Sequence, residues 1–524
     1  MSTYQPAAGT TDRECRLTLL ALMLAGVVAR VAQYLSRRSF WEDESFLVLN
    51  LRDKTASELM GRLAHHQAAP PLFLLVERAA AWAWGASELG LRLLPLAAGL
   101  ASLLLIARVA RALAAAGPGR PAANYAVLAT VGLFALSDRL IWRASEVKPY
   151  GGDALVALVL TATALAGAGR TSASVRLTQT GGAAAGLVWF SFPAVFAFAG
   201  LSLALLPAVV RPAAVDPAAG RRLLRGVLIF AACNLLVAAS FLVLYVTVAR
   251  HQQSAELEEF WAEHFADLTR PLAFAKWLAL HLYDLCQSAC EPLGPVVLPL
   301  VVIGTVALAR GRRWQVLGAL WLPVGVAVAA ACVHRYPFDG KRLTTFLVPG
   351  VLLLAGIGFG AVAVRLAAVG PRRAVVALGV LLAVPAASCA YSLIVPRTRA
   401  HVRPAVEFVA ARYQPGDVIY CNPNPFQFLC YWPPAGRPDV AGGPAPRWLP
   451  AFPQAGGELA GRRYWVVIAY MPGHERYLPG LLAPARAAGR LLDKFDGHGG
   501  AAYLFEAAGA AQSDSPTPGA RGGT

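Results

Sequence analysis

The chain has 524 residues, of which 57% are hydrophobic and only 15% are charged. Its mean hydropathy is +0.51. This composition excludes an ordinary soluble domain, which carries about 25% charged residues and cannot hide so much apolar surface. Nearly uncharged runs recur along the chain, and about 17–25 such residues are enough to cross a bilayer core of roughly 30 Å. We therefore predict an α-helical polytopic membrane protein.

The predicted transmembrane helices, about 11 in number, follow from the apolar runs. These runs cover residues 17–35, 91–110, 123–142, 152–169, 178–191, 194–210, 226–248, 293–309, 315–333, 343–368 and 374–394. The shorter run 71–84 carries Glu77 and Arg78, so we interpret it as a helix on the outer surface, anchored by its two tryptophans. The glycine-rich stretch 356–360 lies within a span, where glycines allow close packing of helices rather than phosphate binding.

The net charge of +17 reflects membrane topology, and we predict no nucleic-acid partner. Arginines cluster between the apolar runs, which is typical of cytoplasmic loops. With residues 1–16 in the cytoplasm, the inner loops are 108–120, 170–176, 211–225, 310–314 and 365–373. Asp216 is the only acid in these loops. The same alternation places the first long loop, residues 36–90, on the outer side.

The composition changes near residue 397, where we place the end of a transmembrane domain that begins at residue 17. The stretch that follows indicates a helix, a Pro-Gly-Asp turn and a short strand. "RRYWVVIAY" and "AAYLFE" indicate two more strands, and we predict a helix over residues 479–495. The expected result is a small extracytoplasmic α/β domain over 397–508, followed by a disordered tail over 509–524.

Three consecutive acids, Glu42, Asp43 and Glu44, follow the first apolar run in the stretch "RRSFWEDESF". Acids at the outer end of a membrane helix can simply be solvated. A carboxylate there can also take a proton from an attacking hydroxyl as a general base. Neighbouring motifs favour the second interpretation.

Two clusters of cations are predicted on the same outer side. "SEVKPY", residues 145–150, places a carboxylate, a cation and an aromatic ring at a helix boundary. "HRYPFDGKRLTTFLVP", residues 334–349, has four cations, counting His334, beside one acid. Lysine and arginine side chains hold phosphate and stabilise its charge as it leaves. A sugar that is linked by phosphate to a membrane lipid would present its reactive carbon at this depth.

Several short motifs follow one another in a characteristic order. They lie at residues 41–44 (Trp-Glu-Asp-Glu), 70–72 (Pro-Pro-Leu), 84–99 ("WGASELGLRLLPLAAG"), 145–150 and, more weakly, 341–349 ("KRLTTFLVP"). In this order the chain resembles the GT-C superfamily of polyprenyl-phosphate-sugar-dependent glycosyltransferases. It looks most like the bacterial relatives of protein O-mannosyltransferases and of the lipid A aminoarabinose transferase. The resemblance covers roughly residues 17–400.

The resemblance implies a role for individual residues. Asp43 would be the catalytic base, supported by Glu44. The residues that would contact the donor phosphate are Lys148, Arg342, Lys341, Arg335 and His66. The supporting residues would be Glu146, Tyr150 and Pro71. Lys148 stands where arginine is usual, and a leucine follows Arg342 where tyrosine is common.

The implied reaction is an inverting transfer in the bacterial cytoplasmic membrane. Asp43 would activate an acceptor hydroxyl, which would displace polyprenyl phosphate from the anomeric carbon. The partners would be the bilayer, the lipid-linked sugar and an acceptor that the sequence does not identify (a protein, a lipid or a glycan). No ligand spacing indicates a metal, so no cofactor is predicted, although a divalent ion beside three acids stays open.

Two other functions remain as alternatives. A polymerase or ligase of surface polysaccharide would use a diphosphate-linked donor on the same type of fold. A transporter would carry ionisable residues near the middle of its spans. Here the acids and cations gather at the outer boundaries of the spans, which favours the enzyme.

Overall fold

The structure is a computed structural model that describes residues 12–115, 120–165, 167, 171–210, 219–433, 446–452, 459 and 461–508. Several sequence-based predictions fall outside these ranges. They concern residues 1–11 of the cytoplasmic segment, Arg170, Arg211 and Asp216 of the inner loops, and the tail 509–524.

The chain forms two compact units, and each is described by itself. The first comprises residues 1–37 and 50–397, and the second comprises residues 38–49 and 398–524. The division after residue 397 falls where the composition changes. The acidic segment 38–49, in contrast, groups with the C-terminal part of the chain, which nothing in the sequence indicated.

The first unit is built from helices. In chain order the helices are α1 (Asp12–Leu35), α2 (Glu42–Asp53, which begins in the second unit), α3 (Pro71–Trp84), α4 (Glu88–Leu91), α5 (Leu93–Ala115), α6 (Arg120–Leu136), α7 (Asp138–Arg143), α8 (Tyr150–Leu165), α9 (Ala173–Leu187), α10 (Ala194–Val210), α11 (Ala219–Leu244), α12 (Arg250–Gln252), α13 (Ala255–Phe260), α14 (Pro271–Ala289), α15 (Gly294–Arg310), α16 (Trp314–Cys332), α17 (Val348–Val369) and α18 (Pro371–Ile394).

Every apolar run of the sequence coincides with at least one of these helices. The run 123–142 is divided, because α6 ends at Leu136 and Ser137 starts α7 by accepting a hydrogen bond from the Leu140 N–H at 3.3 Å. The short apolar run 71–84 is the single helix α3, whose Trp82 is 87% exposed and whose Trp84 is 62% exposed.

Six helices of the described part are long and apolar enough to cross a membrane, and α14 with α15, bent by 105°, would make a seventh. The six are Arg13–Leu35, Glu88–Ala114, Gly220–Gln252, Trp314–Cys332, Thr345–Val369 and Pro371–Ile394. Pro121–Leu136, Tyr150–Leu165 and Ala194–Val210 are shorter apolar helices. The protein is thus a multi-pass membrane protein, and the count of eleven spans stays a prediction.

Glycines bring helices of the first unit into close contact. A Cβ atom on Gly358 of α17 would lie 1.9 Å from the carbonyl oxygen of Leu300 in α15. A Cβ atom on Gly304 of α15 would lie 2.1 Å from the carbonyl oxygen of Leu354. Only glycine permits this approach of two backbones. The structure therefore confirms that the glycine-rich stretch 356–360 serves helix packing.

The second unit is a mixed sheet with helices on both faces. Its strands are β1 (Val418–Asn422), β2 (Arg447–Trp448), β3 (Arg463–Ala469), β4 (Gly489–Gly497) and β5 (Gly500–Ala507), and its further helices are α19 (Arg403–Arg412), α20 (Phe426–Leu429) and α21 (Leu478–Ala488). The strand order is β2-β1-β3-β5-β4. β1 runs parallel to β2 and β3, whereas β5 runs antiparallel to β3 and β4.

Alternation along the central strands builds two apolar cores. Ile419 and Trp465 belong to the core that contains Val406 of α19, whereas Tyr420 and Val466 belong to the core on the opposite face. Successive side chains of a strand point to opposite faces, so strands that are covered on both sides are apolar throughout. The predicted α/β domain is present.

One predicted element of the second unit is wrong. We expected a helix over residues 479–495, but α21 ends at Ala488 and residues 489–497 form β4. The backbone at Gly489 is extended, and a Cβ atom there would lie 2.3 Å from the carbonyl oxygen of Glu506. Pairing with β5 outweighs the helical pattern of this stretch, as tertiary context often does.

Candidate functional site

The three acids form the first turn of α2. Carboxylates are stabilised at this end of a helix, because the unpaired backbone N–H groups and the helix dipole attract negative charge. The dipole explains why the acids favour a helix here. It does not distinguish them from one another, whereas their contacts do.

Glu44 is fully buried and serves the structure of the segment. Its Oε2 atom lies 3.5 Å from Arg38 Nη1 and accepts a hydrogen bond from the Trp41 backbone N–H at 3.3 Å. The second contact is half of a capping box, in which the third residue of a helix caps the N–H of the residue before the helix. Glu44 thus supports the turn on which Asp43 lies.

Glu42 is half-buried and accepts a hydrogen bond from the side-chain amide of Asn424. Burial raises the pKa of the Glu42 carboxyl, the hydrogen bond from Asn424 lowers it, and the charge of Asp43 raises it; the net shift is upward. Asn424 was not among the predicted residues. An asparagine two residues after a strand carries no signal that would have linked it to an acid 382 positions away.

Asp43 lies between these two anchored neighbours and is partly exposed. A general base has to be reached by the hydroxyl that it deprotonates, and the partial exposure of Asp43 is compatible with that role. Within the second unit, the structure places this side chain on a helical turn whose flanking carboxylates are both engaged.

In the first unit, Lys148 contacts the stretch that precedes the Pro-Pro-Leu motif. Its Nζ atom lies 2.5 Å from Oε1 of Gln67, which belongs to the stretch "AHHQAAPPLF". Pro71 of the same stretch is buried and occupies the first turn of α3, where proline needs no N–H partner. The structure thus brings Lys148 next to the loop that precedes α3.

Glu146 and Tyr150 both contact the buried side chain of Arg143. Arg143 forms a salt bridge with Glu146, and its guanidinium carbon lies 4.6 Å from the centre of the Tyr150 ring. All three residues are buried. Ion pairs of this kind, reinforced by a cation–π contact, hold the backbone of a loop in place. The "SEVKPY" motif is thereby held on both sides of Lys148.

The cationic loop 341–344 is organised by Asp339, which the sequence analysis did not single out. Asp339 is 2% exposed, and its carboxylate accepts hydrogen bonds from the backbone N–H groups of all four loop residues at 2.6–3.3 Å. Gly340 has a φ of +66°, which an L side chain rarely adopts. A carboxylate inside a ring of N–H groups fixes the backbone positions from which the side chains of Lys341 and Arg342 project.

The remaining predicted donor residues differ in their surroundings. Lys341 Nζ lies 3.1 Å from Asp284 Oδ2. Nδ1 of His66 lies 3.3 Å from Ser254 Oγ and 3.5 Å from Glu256 Oε2, so His66 faces the start of α13. Arg335 is exposed. The structure groups Lys341 with Arg342 on one loop and Lys148 with the loop of His66.

Tyr336 is a half-buried residue between the motifs of the first unit. Its hydroxyl donates a hydrogen bond to the carbonyl oxygen of Leu343 at 2.9 Å. Burial raises the pKa of this hydroxyl well above its usual value, and Asp153, Asp339 and Tyr150 raise it further. Electrostatic effects of this kind act over short distances. The turn Thr345–Leu347, which follows this loop, packs against α8.

Within the described ranges, no three His, Cys, Asp or Glu side chains come together in a way that could hold a metal ion. The three acids of α2 do not form such a group, because Glu44 faces Arg38 and Glu42 faces Asn424.

The fold and these residues define a class: a multi-pass helical membrane protein with an α/β unit and with titratable groups gathered at its loops and helix ends. No protein-family model matches the chain, and no curated protein matches it.

Solved structures with a similar chain path include ArnT from Cupriavidus metallidurans. Its apo form is 16% identical, with 93% of this chain and 97% of that chain covered and a TM-score of 0.46. Its complex with undecaprenyl phosphate is 17% identical, with coverages of 94% and 98% and a TM-score of 0.47.

The archaeal oligosaccharyltransferase AglB from Archaeoglobus fulgidus, in complex with an inhibitory peptide and a dolichol-phosphate, is 11% identical. The match covers 96% of this chain and 75% of that chain, with a TM-score of 0.46. Both neighbours belong to the GT-C superfamily, which the sequence motifs resemble. Likeness at this level carries no argument about activity, which has to come from the residues of the chain itself.

Proposed function

We propose that the protein is a GT-C-type membrane glycosyltransferase that transfers a sugar from a polyprenyl-phosphate-linked donor to an acceptor hydroxyl. The observation that carries the proposal is the state of the acidic turn. Asp43 is partly exposed and lies on a turn that is fixed on either side, through Glu42 by Asn424 and through Glu44 by Arg38. A turn built only for solvation would not need its flanking carboxylates to be held in this way.

In the proposed reaction Asp43 is the general base. It accepts the proton of the acceptor hydroxyl as the hydroxyl oxygen forms a bond to the anomeric carbon. The bond between that carbon and the phosphate oxygen breaks on the opposite side, so the configuration inverts. Polyprenyl phosphate leaves with the bonding electrons.

The donor phosphate is proposed to bind to Lys148 and Arg342, with Lys341, Arg335 and His66 as further contacts. Lys148 supports this assignment because its ammonium group is held at the loop before α3 by the hydrogen bond to Gln67. Arg342 supports it because Asp339 fixes the backbone from which its side chain projects. Ordered cations stabilise a leaving phosphate better than mobile ones, since no reorganisation is needed during the reaction.

The orientation of the protein is proposed from the distribution of charge. Arginine-rich inner loops place the N-terminus in the cytoplasm, and the resulting alternation places the second unit and the three acids outside. We infer the bacterial cytoplasmic membrane as the location, because a polyprenyl-phosphate sugar is presented there. The acceptor is any hydroxyl-bearing protein, lipid or glycan that reaches Asp43.

The test is transfer from a panel of radiolabelled polyprenyl-phosphate sugars by the full-length protein in proteoliposomes. Wild type is compared with Asp43→Asn, which removes the proton acceptor with little change in volume. Asp53→Asn, at the exposed end of the same helix, is the matched control. We expect a loss of about 10²–10⁴-fold for Asp43→Asn, the range for a general base, and none for the control.

Two other results would change the proposal. Equal transfer by wild type and Asp43→Asn would remove Asp43 from the chemistry. If wild type uses no monophosphate-linked donor, the panel is repeated with diphosphate-linked sugars. Activity there would identify a polymerase or ligase, and inactivity there would leave transport as the function to test.

A further inference from the structure

Three successive contacts tie the start of the acidic segment to the rest of the second unit. The first is at Ser39, whose backbone N–H donates to Nδ1 of His401 at 3.2 Å. The hydroxyl of Ser39 accepts a hydrogen bond from the Arg403 backbone N–H at 3.0 Å. Ser39 thus bridges the two residues that flank the start of α19.

The second contact is at Phe40, which is completely buried. Its backbone N–H donates to the hydroxyl of Tyr431 at 2.7 Å, and the two rings stack with 5.9 Å between their centres. The phenol oxygen therefore satisfies a backbone group that would otherwise be buried without a partner. Tyr431 holds the chain just before the acidic turn.

The third contact is at Glu42, whose Oε1 accepts a hydrogen bond from Nδ2 of Asn424. The orientation of this amide follows from its other end, because Oδ1 of Asn424 accepts from the Phe426 backbone N–H at 3.1 Å. A backbone N–H can only donate, so the oxygen of the amide must face Phe426 and the nitrogen must face Glu42. Asn424 is 7% exposed, so this arrangement is shielded from water.

We propose that Asn424 and Tyr431 are positioning residues of the transferase, and that the C-terminal α/β unit is the platform that holds the catalytic turn. The proposal rests on the proposed function, since it assigns these residues to the placement of Asp43. Asp43 follows Glu42 directly and lies three residues after Phe40. Movement of either anchored residue would therefore move the proposed base, and a displacement of about 1 Å costs about 10²-fold in rate.

The main test is Asn424→Asp in the full-length protein. An aspartate keeps the acceptor for the Phe426 N–H but faces Glu42 with an oxygen in place of a donor. We expect a drop in kcat of about 10-fold or more with little change in the donor KM. The acid limb of the pH profile should move upward, because the introduced carboxylate adds negative charge beside Glu42 and so opposes negative charge on the whole acidic turn that carries the proposed base.

The swapped variant Glu42→Gln/Asn424→Asp provides a rescue. A glutamine amide at position 42 can donate to the new aspartate, so the hydrogen bond is restored in the reverse direction. We expect most of the lost kcat to return. Gln414→Glu, which adds a negative charge at an exposed position of the same unit, is the matched control.

Tyr431→Phe is a milder variant that retains the ring stacking but removes the phenol oxygen. It should lower kcat about 3- to 10-fold, consistent with the loss of one buried hydrogen bond. Tyr477→Phe, at an exposed tyrosine of the same unit, is its control. Tyr431→Phe decides the question if Asn424→Asp does not fold.

Hydrogen exchange separates this proposal from the proposed function, because it needs no activity. The amide of Phe40 should exchange faster in Tyr431→Phe, and the amides of residues 42–46 should exchange faster in Asn424→Asp, while the two controls match wild type. Faster exchange in a protein that transfers no sugar would overturn the proposed function. It would still support the proposal that the C-terminal α/β unit holds the acidic turn. Folded variants whose exchange, kcat and pH profile match wild type would overturn the positioning role of Asn424 and Tyr431. A swapped variant that is no more active than Asn424→Asp would also overturn that role.

Discussion

The ammonium nitrogen of Lys148 lies 2.5 Å from the amide oxygen of Gln67, and the two residues are 81 positions apart. This contact connects the loop before α3 with the loop before α8, both within the first unit. A charged donor makes the hydrogen bond stronger than one between neutral groups. Lys148 is one of the proposed contacts of the donor phosphate, so its ammonium group can be tested directly.

Lys148→Met should weaken the use of a polyprenyl-phosphate sugar by about 10- to 100-fold, the equivalent of a hydrogen bond to a charged group. Methionine retains the apolar stem and removes only the ammonium charge. The effect should appear mainly in KM for the donor, measured by titrating the lipid-linked sugar in proteoliposomes.

Lys494→Met in the second unit is the control, since Lys494 is exposed and pairs with Asp496. Gln67→Leu should give a smaller rise in KM, because it removes one hydrogen-bond acceptor of Lys148 and retains the ammonium group. If Lys148→Met and Arg342→Ala both leave the donor KM unchanged, the donor phosphate binds elsewhere.

Glu44→Gln should destabilise the protein by about 3 kcal/mol, because it leaves the buried guanidinium of Arg38 facing a neutral amide. The amide oxygen can still cap the Trp41 N–H, so the helix start is retained. The measurement is the thermal unfolding midpoint in detergent. Loss of kcat should be smaller than for Asp43→Asn, because Glu44 supports the base and is not itself the base.

A double-mutant cycle with Arg38→Met distinguishes an ion pair from two independent effects. The double variant should be less destabilised than the sum of the single variants by more than about 1 kcal/mol. The exposed pair Arg490–Glu506 should show a coupling below about 1 kcal/mol. Additive losses at Arg38 and Glu44 would contradict the structural role given to Glu44.

Glu77→Met should stabilise the protein by about 1–3 kcal/mol, because a buried polar group without a hydrogen bond is costly. Glu77 is fully buried on α3, and neither of its carboxylate oxygens has a hydrogen-bond partner in the part of the chain that the structure describes. Thermal unfolding in detergent measures the change. Glu258→Met, at an exposed position, is the control and should have little effect.

The burial of Glu77 also predicts that the free energy of unfolding depends on pH. Burial raises the pKa of the Glu77 carboxyl well above its ordinary value of 4.5. As pH rises above 4.5, the unfolded chain loses this proton while the folded protein keeps it, so the unfolded state binds fewer protons. The free energy of unfolding therefore falls with rising pH until the folded pKa is passed. Glu77→Met should remove this part of the slope, and an unchanged slope would contradict the assignment.

The long apolar elements were predictable because their signal is local. Each apolar run coincides with helix, and the glycines at 356–360 do pack helices together. The strand β4 was not predictable, because residues 489–497 have a helical pattern and become a strand only through pairing with β5. Asp339 was also missed, since its function depends on four N–H groups of a folded loop.

A multi-pass membrane protein with a C-terminal α/β domain could be predicted from the amino-acid sequence, and the order of short motifs drew attention to Asp43. Hydrophobicity and chain order are sufficient for those conclusions, because both are properties of neighbouring residues. The grouping of segment 38–49 with the C-terminal unit, and the contacts of Asn424 and Arg38 with the acids beside Asp43, became visible in the folded protein. Such contacts depend on side chains that meet after folding, and their distance along the chain leaves no pattern in the sequence.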